Sequence, residues 1–379
     1  MDFLLTEEER MFKRQIREFV TKEIEPFSAE WDRRDEFAAD SFKKLASQGL
    51  TGLTIPEQYG GQGGGVIHFA IAMQEISRAC VSTALTLDTH LAVSVRPIYK
   101  NGTEEQRQRL VVPAAKGEKI CAFALTERSA GSDAAAMETT AKREGDEWVI
   151  NGAKCFITNG NVADIVLLLA TIDKTLKTRG ITAFIIEKGT AGFSIGKIEK
   201  KMGIRGTSNA ELFLDNCRIP MTNQLGEAGR GFPLALAALD EARVGIACQA
   251  AGLAEGALDA SITYSKERQQ FGQPVAEFQA IQWMLADMAT SIDAAWLLAY
   301  RAARLADAGQ RFTKEAAQAK LFASEMAVEV TRQAIQIHGG YGYMRDLPLE
   351  RFYRDAKITE IYEGTSEMQR LVISRGLLA

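Results

Sequence analysis

Hydrophobic positions recur at helical spacing through the first third of the chain, to about residue 118. The segment "TEEERMFKRQIREFVTKEI" opens with Thr6, and Glu9 follows three residues later, which predicts a capping box at a helix start. The segment "FAADSFKKLASQG" ends at Gly49, a residue typical of helix C-termini. The stretch "GGQGGG" at 60–65 lacks the spacing of a dinucleotide-binding loop and a preceding strand, so we expect a flexible connection there.

The middle of the chain, from about 120 to 225, changes to a two-residue period. In "DEWVINGAKCFITNG" the pair Asn151-Gly152 predicts a hairpin between two short strands. Further strands are predicted at 165–171, 181–188 and 210–219, where apolar runs lie between turn residues. These short strands indicate a small β-barrel or β-sandwich.

From about residue 226 onward the chain is again helical in pattern and rich in alanine. Two long helices are predicted, over 280–309 and 313–340, with a short connection that favours an antiparallel bundle. The pattern therefore predicts an α+β protein of three domains. We expect an N-terminal helical domain (1–119), a middle β domain (120–226) and a C-terminal four-helix-bundle domain (227–379).

Composition excludes several classes of function. The 379 residues are 46% hydrophobic and carry a formal net charge of −4, so there is no basic field for nucleic acid. No apolar run is long enough for a membrane span, and the acidic N-terminus does not resemble a targeting signal, which indicates a cytoplasmic protein. Five scattered cysteines and three histidines offer little material for a disulfide framework, a metal site or a Ser-His-Asp triad.

Three motifs stand in order along the chain: "ALTERSAGSDAAA" (124–136), "QIHGGYGYMRDLPLERFYRD" (336–355) and "YEGTSEMQR" (362–370). Together with the helix–β–helix order, they resemble the acyl-CoA dehydrogenase family over essentially the whole chain. Segments such as "LDEARVGIACQAAGLAEGALD" are most similar to its short-chain, butyryl-type branch. The resemblance implies a flavoenzyme that converts a short saturated acyl-CoA to a trans-2-enoyl-CoA.

The resemblance also implies FAD as the cofactor, shared between subunits of a homotetramer built as a dimer of dimers. Near the flavin the family's motifs fall on Phe123, Thr126, Gly131, Ser132, Phe156 and Thr158. Phe156 stands where the family more often has Trp, and it can still stack although it lacks the indole N–H. The rest of FAD would contact Arg268, Phe271, Gln279, Gln336, Gly339, Gly340, Thr365 and Glu367.

For catalysis, the resemblance implies that Glu363 removes a proton from Cα while a hydride leaves Cβ for flavin N5. Some branches of the family carry the base just before the Arg of "LDEAR", but here that position is Ala242. The acyl-CoA would contact Ser132, Asp240, Arg243, Tyr362 and Gly364. Electrons would then pass to an electron-transferring flavoprotein.

Several alternatives stay open on the sequence. Glu363 could be a solvated acid at a helix end. The chain could be an acyl-CoA oxidase, although such oxidases usually have a longer C-terminal region, or a non-catalytic helical interaction protein. The acyl group could also be branched, cyclic or dicarboxylic.

Asp88, His90 and Arg96 lie in the segment that the family places against the acyl end. We expect them to face solvent or a neighbouring helix, whereas an Arg96 facing the pocket would favour a distal carboxylate.

Overall fold

The structure is a computed structural model that describes residues 5–378, and its first region is helical. The predicted capping box is confirmed, since the Glu9 N–H donates to Thr6 Oγ1 (3.2 Å) and the Thr6 N–H donates to Glu9 Oε2 (2.8 Å). Gly49 has a positive φ of 70° just after the third helix. The helices are α1 (Glu7–Glu23), α2 (Glu25–Arg34), α3 (Ala39–Ser47), α4 (Val66–Ala79), α5 (Val81–His90), α6 (Arg96–Asn101), α7 (Glu104–Gln106) and α8 (Val112–Ala115).

The glycine-rich stretch at 60–65 is a connection, as predicted, and backbone hydrogen bonds fix part of it against the preceding segment. The N–H groups of Gly63 and Gly64 each donate to a backbone carbonyl at 2.8 Å. A Cβ on Gly61 would lie 2.0 Å from the carbonyl oxygen of Ile55, so the two backbone segments are in direct contact. Glycine is needed here because the chain packs tightly against itself.

The middle region contains one sheet made of two lobes. One lobe consists of β1 (Cys121–Ala124), β4 (Ile165–Thr171), β5 (Ile181–Glu187) and β8 (Gln224–Leu225). The other consists of β2 (Thr140–Glu144), β3 (Glu147–Thr158), β6 (Phe193–Ile198) and β7 (Asn209–Pro220). A single residue pair, Thr140 with Thr171, joins the lobes. Both lobes bury side chains in one shared core, where Trp148 contacts Phe184, as in a sandwich.

The hairpin predicted at Asn151-Gly152 is wrong. Strand β3 runs without interruption past this pair, and both of its halves bond to β7 with a bulge between Ile150 and Gly152. The reason is a close approach, since a Cβ on Gly152 would lie 2.4 Å from Thr139 Oγ1. The glycine therefore accommodates a neighbouring segment and does not form a turn.

The C-terminal region is helical and contains one short hairpin. Its elements are α9 (Gly231–Glu267), β9 (Gln269–Gln270), β10 (Gln273–Pro274), α10 (Gln279–Asp307), α11 (Thr313–His338), α12 (Leu349–Ile358) and α13 (Ser366–Leu378). The two long helices predicted at 280–309 and 313–340 are confirmed as α10 and α11. None of the helices within residues 5–378 is both long and apolar enough to cross a membrane.

The first and last regions share a single hydrophobic core. Helix α9 approaches α4 closely, because Cβ atoms on Gly252 and Gly256 would lie 2.2 and 2.3 Å from the carbonyl oxygens of Gln74 and Arg78. The buried cluster extends from Ile16 to Ala356 and also includes residues of β1, β4 and β5. This packing holds α5, α9, α11 and the loop between α12 and α13 in fixed positions.

Candidate active site

The loop between α12 and α13 carries the motif "YEGTS" in an unusual backbone conformation. Glu363 has a positive φ of 53° and Gly364 a φ of 95°. A non-glycine residue rarely adopts positive φ and costs free energy there, and such strain clusters at functional sites. Glycine readily adopts positive φ, so Gly364 suits this turn, and its predicted contact with the acyl-CoA stays a prediction.

Three side chains hold this loop through its carbonyl groups. The Gln369 amide donates to the carbonyl oxygens of Glu363 (3.1 Å) and Gly364 (2.8 Å). Lys320 Nζ donates to the Gly364 carbonyl (2.8 Å), and Arg243 Nε donates to that of Glu363 (3.3 Å). The backbone is thereby fixed while the Glu363 carboxylate is left free, and its Oε2 atom is buried without a hydrogen-bond partner.

The electrostatics of Glu363 favour a base that is stronger than an ordinary carboxylate. Burial raises the pKa of Glu363, while the positive charges of Arg243 and Lys320 partly offset this increase. Burial also lowers the pKa of Lys320 from its usual 10.5 to about 8. A desolvated carboxylate with nearby cations can remain ionised near neutral pH and still accept a proton.

Tyr362 is anchored on the other side of the loop. Its hydroxyl donates to Oε1 of Gln249 on α9, and the Gln249 amide donates to the Val81 carbonyl at the start of α5 (3.0 Å). Burial, followed by the charges of Asp88 and Glu363, raises the pKa of Tyr362 well above its usual range. The tyrosine is therefore neutral, and it connects the loop to the helices that surround the site.

Asp240 and Arg243, which were predicted to contact the acyl-CoA, bind each other. Arg243 Nη1 lies 2.6 Å from Asp240 Oδ1, and the Thr313 hydroxyl donates to Asp240 Oδ2 (2.6 Å). Both side chains are mostly buried next to the Glu363 loop. Their contacts with a substrate stay a prediction, but the pair also fixes the orientation of the Arg243 guanidinium.

The predicted flavin loop at 124–136 rests on a buried ion pair. Lys154 Nζ lies 2.7 Å from Glu127 Oε1, and the Glu127 carboxylate also accepts the N–H of Thr139 (3.1 Å). The Cys155 N–H donates to the Thr126 carbonyl (3.0 Å), which joins the loop to β3. This support is rigid because an ion pair inside the protein is hard to separate.

Exposed groups on this loop and at the end of β3 are suited to contact a planar ring system such as a flavin. Phe156 has a positive φ of 58° and its side chain is 64% exposed, so its phenyl face is available for stacking. Gly131 has open space around it, and Ser132 beside it is exposed. Thr158 is half-buried and lies next to the Asn209 amide (3.5 Å), whereas Phe123 packs partly into the core.

A second group of predicted FAD contacts gathers where α9 and α11 end. The Arg268 guanidinium lies 5.5 Å from the centre of the Tyr341 ring, and it forms no ion pair with any described residue. Phe271, at the tip of the β9–β10 hairpin, is 94% exposed with a φ of 52°. The remaining predicted residues here are exposed, and the glycines have open space around them: Gln279, Gln336, Gly339 and Gly340. An unpaired cation and bare backbone suit a pyrophosphate.

The two remaining predicted cofactor residues lie at the start of α13. Thr365 Oγ1 accepts the N–H of Met368 (3.4 Å), so it serves as a local cap. Glu367 is exposed in the first turn, and a hydrogen bond from its own backbone lowers the pKa of its carboxyl. Their contact with FAD stays a prediction.

The three polar residues that precede the β region have different surroundings. His90 is structural, since it accepts the Cys121 N–H (3.1 Å) and contacts the Ala114 carbonyl (3.1 Å), and burial lowers its pKa to about 4. Arg96 faces a neighbouring helix, as expected, with Nε 2.6 Å from Glu241 Oε2. A distal carboxylate therefore has no free Arg96 to bind. Asp88 is fully buried and does not face solvent.

Sequence reasoning missed three residues that hold the loop: Lys320, Gln249 and Gln369. A signal for Lys320 was present, since it lies four residues after Ala316 and three before Ala323, both of which are buried on one face of α11. A lysine on such an alanine stripe indicates a buried charge with a specific partner. The two glutamines have no comparable signal.

Comparison with known proteins covers the whole chain. Three family models match it in order: the acyl-CoA dehydrogenase N-terminal domain at residues 6–118, the middle domain at 122–217 and the C-terminal domain at 229–378. A short-chain specific acyl-CoA dehydrogenase of Clostridium acetobutylicum is 50% identical over 99% of both chains. An acryloyl-CoA reductase (NADH) of Anaerotignum propionicum is 51% identical over 100% of this chain and 96% of the relative.

Solved structures show the same architecture. The butyryl-CoA dehydrogenase of Megasphaera elsdenii superposes with a TM-score of 0.98 at 43% identity, covering 100% of both chains. A chain from a structure of the electron transferring flavoprotein of Acidaminococcus fermentans, reported for flavin-based electron bifurcation, also gives a TM-score of 0.98, with 48% identity and full coverage of both chains. The predicted helix–β–helix fold is confirmed by these likenesses.

The buried Lys320 generates a prediction about stability and pH. Because its pKa in the folded protein is about 8 and its usual value is 10.5, the unfolded chain binds more protons between these values. The stability that this group contributes should therefore rise as the pH increases from about 8 to about 10.5. Melting temperatures of the wild type and of Lys320→Met should diverge in favour of the wild type across this range.

The exposed Lys266, at the end of α9, provides the control. Lys266→Met should keep a constant difference from the wild type over the same pH range. A melting-temperature difference for Lys320→Met that does not change with pH would show that Lys320 does not titrate there.

Proposed function

The chain belongs to the acyl-CoA dehydrogenase family and is an FAD-dependent oxidoreductase, and from this premise we propose that it converts a short-chain acyl-CoA to its trans-2-enoyl-CoA. The observation that carries the proposal is the Glu363 carboxylate, whose Oε2 atom is buried, has no hydrogen-bond partner among residues 5–378 and lies on a strained loop. A solvated acid at a helix end would need none of these features. Relatives specific for short chains support an acyl group of about butyryl size.

In the proposed reaction, Glu363 takes the proton from Cα of the thioester. The Cα–H bond breaks, its electron pair forms the Cα=Cβ double bond, and the carboxylate becomes a carboxylic acid. Bound FAD supplies the acceptor for the hydride that leaves Cβ. The raised pKa of Glu363 lies closer to the pKa of the weakly acidic Cα–H group. Desolvation therefore makes the carboxylate a better general base for this proton.

The loop also supplies a donor for the thioester carbonyl. The Glu363 N–H has no acceptor among residues 5–378, whereas its carbonyl oxygen is already bonded to Arg243 and Gln369. A free N–H beside the base can bind the thioester oxygen, where negative charge develops as the Cα proton leaves. This N–H belongs to the peptide unit between Tyr362 and Glu363, and Tyr362 is anchored through its hydroxyl to Gln249.

The residues that would hold FAD lie in the two exposed groups described above. Phe156 and Thr158 would contact the ring, with Thr126, Gly131 and Ser132 at its edge. Arg268 would bind the pyrophosphate, and Phe271 would cover an adjacent part of the cofactor. Phe271 is 94% exposed within one chain, so it is accessible to a second subunit of the proposed homotetramer.

An electron-transferring flavoprotein is the proposed electron acceptor. The likeness to a chain from the structure of such a flavoprotein of Acidaminococcus fermentans supports this partner. An acyl-CoA oxidase, which would pass electrons to O₂, stays the nearest alternative. A cytoplasmic location stays a prediction from the sequence.

The central test is Glu363→Gln, which keeps the size of the side chain but removes the base. The variant should retain FAD and bind butyryl-CoA, yet bleach its flavin at least roughly 10²-fold more slowly than the wild type. Anaerobic stopped-flow absorbance with butyryl-CoA measures the rate.

The matched control is Glu325→Gln, on the exposed face of α11, where Glu325 forms an ion pair with Arg370 (2.7 Å). This variant should bleach at the wild-type rate, because an exposed ion pair contributes little. If Glu363→Gln bleaches as fast as the control, the Glu363 carboxylate is not the base.

A second prediction concerns the unpaired Arg268. Arg268→Ala should weaken FAD binding by roughly 1.5–3 kcal/mol, because a charge-assisted contact is lost. The FAD-to-protein ratio after dialysis, together with the oligomeric mass by light scattering, measures the effect. Arg143→Ala, on the exposed surface of β2, serves as the control. Full FAD occupancy in Arg268→Ala would refute the assignment.

The likeness to an acryloyl-CoA reductase, equal in strength to that with the dehydrogenases, favours a second candidate function. In this function the same site would run in reverse, with protonated Glu363 returning a proton to Cα of an enoyl-CoA. Mixing the chemically reduced holoenzyme with crotonyl-CoA under anaerobic conditions measures this direction. We expect oxidation of the flavin slower than its bleaching by butyryl-CoA, and the opposite order of rates would favour the reductase.

A further inference from the structure

Asp88, in the last turn of α5, is a buried carboxyl without a partner. Its side chain is 0% exposed, and it is the one carboxyl within residues 5–378 whose two oxygens are both buried and unbonded. Buried polar groups in native proteins nearly always find a hydrogen-bond partner, because leaving them unpaired is costly. An ordered water or a ligand can supply the missing partner of Asp88, and its electrostatic interaction with Glu363 favours a ligand that reaches the same site.

The position of Asp88 connects it to the proposed acyl site. A Cβ on Gly245 of α9 would lie 2.3 Å from Asp88 Oδ1 and 2.8 Å from the ring of Phe69. Gly245 precedes Gln249 by one helical turn, and Gln249 holds the Tyr362 hydroxyl beside Glu363. Asp88 thus lies against the same stretch of α9 that supports the catalytic loop.

The groups that face Asp88 carry no positive charge. They are Glu363 and Tyr362 from the loop and Cys248 from α9, each of which interacts electrostatically with Asp88, together with the apolar Phe69. No Arg, Lys or His among the described residues forms an ion pair with it. Burial, and then the charge of Glu363, raises the pKa of Asp88 well above its usual range, so the carboxyl is protonated when Glu363 is ionised.

A protonated carboxyl offers one O–H donor and one carbonyl acceptor. The neutral group that matches both functions is a hydroxyl. An ammonium group would require Asp88 to ionise next to Glu363, and a distal carboxylate would meet repulsion from the Glu363 charge. A plain alkyl chain would leave both oxygens of Asp88 unbonded.

We propose that Asp88 determines substrate specificity by hydrogen-bonding a hydroxyl group on the acyl chain beyond Cβ. The inference rests on the proposed function and refines its substrate class to short hydroxyacyl-CoA thioesters. A site with polar groups placed for a hydroxyl discriminates strongly against the analogue that lacks it, because its own groups are then left unpaired.

The test compares pairs of acyl-CoAs that differ only at the chain end. Anaerobic flavin bleaching is measured with butyryl-, valeryl- and hexanoyl-CoA and with their ω-hydroxylated counterparts, and additional arms use 4-aminobutyryl-CoA and glutaryl-CoA. We expect the wild type to favour the best hydroxylated substrate over its alkyl counterpart by at least roughly tenfold in the second-order rate constant of flavin reduction. Calorimetric binding of crotonyl-CoA and 4-hydroxycrotonyl-CoA gives the same comparison without flavin reduction.

Two variants separate hydrogen bonding from charge. Asp88→Asn keeps one donor and one acceptor on the same skeleton, so it should retain the preference for hydroxylated substrates. Asp88→Leu has the same branching without polar atoms, so it should prefer the alkyl substrates. Should Asp88→Leu fail to fold, the wild type and Asp88→Asn still give the preference by bleaching and by calorimetry.

Each contrary outcome overturns a different statement. Equal or greater activity of the wild type on the alkyl substrates would overturn the role of Asp88 and leave the proposed function intact. A preference for the amino substrate that Asp88→Asn abolishes would show an ionised Asp88, and it would overturn the hydroxyl assignment. Failure of every acyl-CoA to bleach the flavin would overturn the proposed function itself.

Discussion

The proposed mechanism depends on one constraint, which is that the Glu363 carboxylate must be buried and able to act as a base at the same time. A buried carboxylate is normally stabilised by direct hydrogen bonds, but such bonds would lower its pKa and weaken it as a base. Here the donors Arg243, Lys320 and Gln369 bind the carbonyl oxygens of the loop, and Oε2 of Glu363 stays free. The two cations still act on the carboxylate through space, which offsets part of the cost of burial without occupying its oxygens.

This arrangement requires several helices to meet at fixed distances. Arg243 comes from α9, Lys320 from α11 and Gln369 from α13, and the loop itself strains the backbone at Glu363. Only a closely packed bundle can hold such strain, because a loose one would relax it. The small residues of α9 provide that packing, since its glycines contact the backbone of α4 directly. The first region of the chain therefore supports a site that belongs mainly to the last one.

The sequence was sufficient for the order of helical and β regions and for the position of Glu363, because periodicity and motif are local properties. Prediction from the sequence failed where the conformation at a residue depends on contacts with a segment that is distant in the chain. Gly152 suggested a turn but accommodates Thr139, and Gly61, in the stretch expected to be flexible, packs against the backbone of Ile55. The same reason applies to Asp88, whose burial depends on α9 and on the loop after α12. No pattern within α5 distinguishes a buried aspartate from a solvated one.

Asp88 and Glu363 are two carboxyl groups in one region of the protein, and nearby charges affect their protonation differently. Both are desolvated, and each disfavours the ionised form of the other if both are charged. The charges of Arg243 and Lys320 offset part of the rise in the pKa of Glu363, whereas no cation among residues 5–378 forms an ion pair with Asp88 to offset the rise in its pKa. The two proposed roles, an ionised base and a neutral hydrogen-bond donor, thus use the same functional group. The difference between them comes from where the two cations lie, and α9 and α11 determine those positions.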